Sequence, residues 1–95
     1  MVVGSLTVSL HIPESHSLKE KRMVVRSLTD RLRRTFNVAV AEVADQDTWQ
    51  VATIGVVCVS ADARHADEMS QKVLRYIGEE AEALLTRSSF ELLHV

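Results

Sequence analysis

Apolar and polar side chains alternate along the first twelve residues of the chain. Even positions from Val2 to Ile12 carry Val, Gly, Leu, Val, Leu and Ile, whereas Ser, Thr or His occupies most odd positions. A period of two is typical of a β-strand with one buried face. Pro13 then interrupts the alternation, since proline cannot donate a ladder hydrogen bond. The pattern therefore predicts a first strand that ends near Ile12.

Helical periodicity begins shortly after this strand. Ser17 and Glu20 form an S-x-x-E capping box, which predicts a helix over residues 17–35. The apolar side chains that share one arc of about 120° on this helix are Leu18, Val24, Val25, Leu28, Leu32 and Phe36. Lys21 lies inside the same arc. We expect its aliphatic stem to pack while its amine reaches the end of the sheet.

The remaining two thirds of the chain predict two strands, a helix and a final strand. Two runs rich in Val, at 37–44 and 50–60, flank the polar sequence DQDTW, which indicates a hairpin connection. Asp62 is a candidate N-cap for a second helix over residues 62–84, whose apolar positions again share one face. The terminal sequence SFELLHV predicts a short last strand.

The predicted element order is βαββαβ, which is the split βαβ motif of the ferredoxin-like fold. With right-handed crossovers, this order gives an α+β domain. It has a four-stranded antiparallel sheet, two helices on one face and an open opposite face. Because 95 residues suffice for one core of this kind, we expect residues 1–95 to form a single domain. The loop after the first strand, the hairpin 45–50 and the loop 86–89 would meet at one end of the sheet.

Charge is distributed unevenly along the chain. The net charge is −2, yet residues 1–36 carry seven Lys or Arg against three acids, and residues 37–95 carry four against ten. The basic excess lies on the first helix. A local basic patch of this kind can bind an anionic partner even when the whole protein is slightly acidic.

A stripe of basic residues beside the apolar arc forms the first candidate site. Such a stripe suits contacts to the phosphates of a nucleic acid. The predicted nucleic-acid contacts are Lys19, Lys21, Arg22, Arg26 and Arg33. The alternative is a solvated helix face in which Asp30 pairs with Arg26 or Arg34.

Polar residues at the predicted end of the sheet form a second candidate, a ligand or partner surface. Its members are His16, Ser17, Asp45, Asp47, Trp49 and Gln50. Trp49 could stack on a base while the helix N-terminus takes a phosphate. In the alternative interpretation, Asp45 and Asp47 neutralise the lysines of the first helical turn, where basic side chains oppose the helix dipole, and Trp49 covers an apolar edge.

The open face of the sheet is the third candidate. Ser5, Thr7, Ser9 and His11 would lie there beside small and β-branched residues of the third strand. No aromatic residue falls on the two central strands, so base stacking on this face is disfavoured. A second copy of the chain could cover such a face, which makes a homodimer the simpler interpretation.

Signatures of enzymes, cofactors and membranes are sparse. The chain has no phosphate-binding glycine loop and no metal-ligand spacing among its four histidines, so we expect no catalysis, cofactor or metal. The single cysteine, Cys58, lies in an apolar run and suits a reducing compartment. No apolar run approaches the roughly 18 residues of a membrane span. We therefore expect a cytoplasmic protein without a membrane partner.

Three sequence blocks carry a resemblance to a known family. SLKEKR at the start of the first helix, FNVAVAEV followed by DQDTWQ, and GVVCVS before the second helix resemble the YlxP-like family, small bacterial proteins of unknown function. The resemblance spans essentially the whole chain and implies a ferredoxin-like fold and a cytoplasmic location. Members of that family are often encoded beside translation initiation and ribosome-maturation factors. The resemblance thus implies an association with RNA or the ribosome, and it supplies no catalytic residues.

Two functional hypotheses follow from these observations. The first is a non-enzymatic binding module for RNA or a ribosomal particle, with the basic stripe contacting phosphates. The alternative is a homo-oligomeric small-ligand or regulatory domain of ferredoxin-like fold, with its ligand at the sheet end or at a dimer seam.

Overall fold

Six elements make up the fold in the order βαββαβ. The computed structural model describes residues 1–95, and its elements are β1 (Val2–His11), α1 (Leu18–Thr35), β2 (Ala39–Ala44), β3 (Val51–Ser60), α2 (Ala63–Gly78) and β4 (Leu84–His94). The four strands form one antiparallel sheet in the order β2-β3-β1-β4. This arrangement confirms the predicted α+β, ferredoxin-like fold with β1 and β3 at the centre.

Both helices cover the same face of the sheet. The even-numbered side chains of β1 point toward this face and are buried, as the alternation predicted. The large side chains that are fully buried between helices and sheet include Val8, Leu10, Ile12, Leu28, Leu32, Ile54, Val73 and Ile77. The opposite face, which carries Ser5, Thr7, Ser9 and His11, has no helix over it.

The two helix starts agree with the capping residues predicted from the sequence. Ser17 is the N-cap of α1, and its hydroxyl accepts a hydrogen bond from the Glu20 backbone N–H at 3.1 Å. The Glu20 carboxylate reaches back to the His16 backbone N–H at 2.6 Å. Asp62 caps α2 by accepting from the Arg64 N–H at 2.9 Å. Side-chain oxygens thus satisfy exposed donors at both helix starts.

The end of α2 and the start of β4 differ from the prediction. The helix ends at Gly78 rather than at residue 84, and β4 begins at Leu84, so residues 79–83 form the loop that was expected at 86–89. Leu84 pairs with His11 and Leu85 with Leu10, because β1 is long enough to bind the whole of β4. Ala81 and Leu84 continue the apolar spacing of α2, which would favour a longer helix. The hydrogen bonds and side-chain contacts of β4 along β1 outweigh this local preference.

Gly4 gives α2 room to approach the sheet. A Cβ atom at this position would lie 3.0 Å from the Cys58 Sγ and 3.4 Å from the Ala66 Cβ. The contact of such a Cβ with Ala66, which belongs to α2 and is fully buried, would be an ordinary one, so only a side chain longer than that of alanine would press on the helix as well as on Cys58.

Neither helix combines the length and the apolar content that crossing a lipid bilayer requires.

We expect the Gly4→Val substitution to destabilise the domain by about 1–3 kcal/mol, because overpacking at this contact forces side chains or backbone to move. The measurement is the free energy of unfolding from urea denaturation. Ser5→Val is the matched control, since Ser5 is the next residue on the same strand and lies on the open face. An equal decrease in both variants would contradict the proposed contact between Gly4 and α2.

Candidate nucleic-acid interface

The ammonium group of Lys21 is buried at the end of the sheet. Its side chain is 0% exposed, and the Nζ atom lies 2.9 Å from the Oε2 atom of Glu42 on β2. The same Nζ donates to the backbone oxygens of Asp45 at 2.6 Å, Gln46 at 3.3 Å and Val51 at 3.1 Å. Four acceptors therefore surround an ammonium group that has three protons to donate.

The burial of Lys21 corrects two predictions. Lys21 cannot contact a phosphate of a nucleic acid, because its amine is enclosed by β2, β3 and their connection. The carboxylate that neutralises it is Glu42 rather than Asp45 or Asp47. Asp45 contributes its backbone carbonyl instead, while its carboxylate accepts a hydrogen bond from the Thr53 hydroxyl at 2.6 Å.

The sequence held a signal for the pair of Lys21 and Glu42. Lys21 falls in the apolar arc of α1, and Glu42 continues the inward-facing series of Val38, just before β2, and Val40 on β2. A charged residue in each of two buried positions requires an opposite charge nearby. An ion pair between Lys21 and Glu42 could therefore have been predicted from the sequence as one candidate among several.

The connection between β2 and β3 is a tight turn held by its own backbone. Asp45 adopts a φ of 61°, in the left-handed region that aspartate tolerates better than most residues. Its carbonyl also accepts from the Thr48 N–H at 3.1 Å. This conformation directs the carbonyls of Asp45 and Gln46 toward Lys21.

Gln50 fastens the loop between β1 and α1 to the start of β3. Its Nε2 atom donates to the backbone oxygens of Pro13 at 3.3 Å and Ser15 at 3.1 Å. Its own backbone carbonyl accepts from the Ile12 N–H at 2.8 Å. Gln50 and the N-cap Ser17 are thus occupied by contacts within the chain.

Four members of the predicted sheet-end surface are exposed. They are His16, Asp45, Asp47 and Trp49, and of these Asp45 already binds the Thr53 hydroxyl. Trp49 is 51% exposed, so half of its surface is available for contact with another molecule. The depression beside it is lined only by Thr48, Trp49 and Gln50, and it is too open to enclose a small molecule.

The outer face of α1 carries basic side chains without carboxylate partners. Lys19, Arg22 and Arg26 are exposed, and none of them forms an ion pair within the chain. The pairs of Asp30 with Arg26 or Arg34 that were considered as an alternative do not form. Asp30 binds Arg33 instead, at 3.1 Å.

Arg33 lies on the same stripe but has a structural role as well. Its side chain is 48% exposed, and its Nη2 atom donates to the Val40 carbonyl on the edge strand β2 at 2.7 Å. The guanidinium therefore bridges α1 and β2. About half of the Arg33 side chain stays exposed to solvent, although Nη1 already binds Asp30 and Nη2 already binds Val40.

A groove runs between α1 and the edge strand β2 and gathers three of the five predicted phosphate contacts. It encloses roughly 500 Å³ and is lined by Arg22, Val25, Arg26, Thr29, Asp30, Arg33, Ala41 and Glu42. A neighbouring depression is lined by Lys19, Arg22, Met23 and Arg26, and Met23 is 64% exposed. The stripe thus combines unpaired cations with one exposed apolar side chain.

The other flank of α1 is neutralised within the chain. Arg31 forms an ion pair with Glu80 and lies 6.0 Å from the centre of the Tyr76 ring. The hydrogen bond from Arg31 to Glu80 raises the pKa of Arg31, although partial burial opposes this effect. This cation stabilises the contact between α1 and the end of α2 and is not free for a partner.

The comparison with known proteins places the chain in a family. The family model DUF503, described as a protein of unknown function, matches residues 3–90. The chain belongs to the DUF503 family. The uncharacterized protein YlxP of Bacillus subtilis strain 168 is 33% identical over 91 residues, which cover 94% of this chain and 99% of that protein. This finding confirms the resemblance to the YlxP-like family.

The match includes the whole of α1 and β2, so the basic groove lies inside the DUF503 domain. Neither description names an activity. No three His, Cys, Asp or Glu side chains converge where they could hold a metal ion. The function of this DUF503 protein therefore has to be argued from the charges and surfaces of its own residues.

We expect the Lys21→Met substitution to lower the free energy of unfolding by about 3 kcal/mol, because it leaves the Glu42 carboxylate and three carbonyls without their cation. Urea denaturation of this variant and of Lys19→Met, a matched exposed position, measures the difference. The control is expected to stay within about 0.5 kcal/mol of the wild type.

A second variant checks that the destabilisation comes from the uncompensated charge. Adding Glu42→Leu to Lys21→Met removes the buried carboxylate, and we expect it to recover part of the stability. If Lys21→Met were no more destabilising than Lys19→Met, the buried ammonium would not be an anchor of the fold.

Proposed function

We propose that this protein is a non-enzymatic, cytoplasmic RNA-binding module that contacts the phosphates of RNA or of a ribosomal particle with the outer face of α1. The observation that carries the proposal is the row of exposed, unpaired cations formed by Lys19, Arg22 and Arg26. Arg33 extends this row beside β2.

Unpaired cations on one helix face favour an anionic partner for an electrostatic reason. A protein that neutralises phosphates releases the counterions condensed on the nucleic acid, and this release drives binding. The other arginines of the first helix that have internal partners gain less from such contacts. Arg31, for example, would have to give up Glu80.

The length of the stripe suits a run of phosphates rather than a single anion. From Lys19 to Arg33 the helix rises about 21 Å, at about 1.5 Å per residue. Side chains spread over this distance contact several successive phosphates, which position a protein on its nucleic acid without reading its sequence. The exposed side chain of Met23 adds an apolar surface for a sugar or a base.

The charge of the whole protein supports a local rather than a diffuse interaction. The net charge is −2, so the remainder of the surface does not attract a polyanion. Binding that depends on α1 should therefore disappear when α1 alone is neutralised. This property makes the proposal testable with a small number of substitutions.

The test is the salt dependence of RNA binding, measured by fluorescence anisotropy with a labelled RNA stem–loop and by cosedimentation with bacterial ribosomal particles. We expect the triple variant Lys19→Gln, Arg22→Gln, Arg26→Gln to bind more weakly. The slope of log affinity against log salt concentration should fall by about 2–3, at about 0.7–0.9 for each phosphate that the variant no longer neutralises.

The matched control neutralises three exposed cations on the other helix, with Arg64→Gln, Lys72→Gln and Arg75→Gln. Both triple variants have the same net charge, and we expect the control to keep the wild-type slope. Equal weakening of RNA binding in the two variants would show that net charge rather than α1 governs binding. A wild-type protein without salt-sensitive RNA binding would overturn the proposal.

A further inference from the structure

The open face of the sheet has a regular pattern of size and charge. Strand register places Ala41, Gly55, Thr7 and Ser89 side by side in one row across the middle of this face. All four are small and uncharged. The side chain of Val43 lies over Gly55, since its Cγ1 atom is 2.9 Å from the place that a Cβ of Gly55 would take. The row therefore presents small side chains at Thr7 and Ser89 and an exposed valine over Gly55.

The charged side chains of the open face lie on opposite sides of this central row. Arg87 pairs with Ser9, two residues from Thr7 along β1, and Glu91 pairs with Ser5, two residues from Thr7 in the other direction. Neither forms an ion pair within the chain. A third charge lies just beyond β2, where the Asp45 carboxylate accepts a hydrogen bond from the outward-facing Thr53 hydroxyl at 2.6 Å.

The ends of the open face are apolar. One end carries Val59 and Leu93, which flank Val3, and the other carries Val51 and Leu84, which flank His11. The exposed large side chains include Val59 at 63%, Leu84 at 56% and Leu93 at 41%. Apolar side chains this exposed at both ends of one face favour a partner that covers the whole face.

We propose that this face binds a second copy of the chain, with a two-fold axis along the row Ala41, Gly55, Thr7 and Ser89. Rotation about this axis exchanges the two ends of the face. Arg87 of each copy then lies opposite Glu91 of the other, Leu93 opposite Leu84, and Val59 opposite Val51. An isologous interface requires self-complementarity of this kind.

The size of the face is sufficient for such a dimer. The strands have ten, six, ten and eleven residues, which at about 3.3 Å per residue and about 4.8 Å between strands give a face of about 590 Å² per copy. The two copies together would bury about 1,200 Å², which is the lower limit for specific interfaces, about 1,200–2,000 Å². The helices, including the basic stripe of α1, stay on the outside of this dimer, so RNA binding and dimerisation can be tested separately.

The test is the mass of the protein in solution, measured by sedimentation equilibrium over a range of concentrations. We expect the wild type to sediment at twice the mass of the chain. Thr7→Arg places a long charged side chain in the central row and should give a monomer. Circular dichroism and thermal unfolding should show that this variant is folded, because Thr7 is exposed.

Charge exchange tests the symmetry. Arg87→Glu alone and Glu91→Arg alone each bring like charges together, and each should raise the dimer dissociation constant at least about tenfold. The double variant Arg87→Glu, Glu91→Arg restores opposite charges only if these residues meet across the two-fold axis, since four residues along one strand keep them apart within a chain. We expect it to dimerise like the wild type.

Arg64→Glu on α2 is the control for the change in net charge, and it should leave the dimer intact. A monomeric wild type at all concentrations would overturn the proposal. So would a dimer that survives Thr7→Arg, or a double charge exchange that fails to restore dimerisation. None of these results bears on the salt slope of RNA binding, so the two proposals fail independently.

Discussion

The buried ammonium of Lys21 joins more of this fold than any other polar group. It connects the first turn of α1 to β2 through Glu42, and to the β2–β3 connection and the start of β3 through three carbonyls. A charge in this position is costly unless every neighbour is an acceptor. The left-handed backbone of Asp45 belongs to the turn whose carbonyls accept from this ammonium. The ammonium in this way fixes one end of the sheet against the helix that carries the candidate binding surface.

This internal use of charge determines which cations of α1 can bind a partner. Lys21 and Arg31 are neutralised by Glu42 and Glu80, one at the sheet end and the other on the flank next to α2. Arg33 is held between Asp30 and the edge strand. The exposed cations left without ion pairs are Lys19, Arg22, Arg26 and Arg34, and two of them, Arg22 and Arg26, line the groove along β2. The RNA contacts proposed for Arg22 and Arg26 would therefore leave the ion pairs of the fold intact.

The two sides of the sheet differ because only one of them is covered. On the helix side, large apolar residues fill the core, and Gly4 is small because α2 crosses there. On the open side, β1 presents Ser5, Thr7 and Ser9. The exposed apolar side chains of this side include Val43 and Val57 near the centre and Val59, Leu84 and Leu93 toward the ends. The proposed interfaces use opposite sides of the molecule. A protein of this size could therefore bind RNA with its helices while a second copy covers its sheet.

The order of the elements, the inward face of β1, the cap of each helix and the stripe on α1 were all predictable from the pattern of residues. Each of these follows from periodicity or from contacts between residues close in the chain. The end of α2 at Gly78 could not be predicted in this way, since the pairing of β4 with β1 joins residues far apart in sequence. The same holds for the ion pair of Lys21 with Glu42 rather than with Asp45 or Asp47. A charge on an amphipathic helix looks the same in sequence whether it faces solvent or a buried carboxylate, because its partner comes from another element.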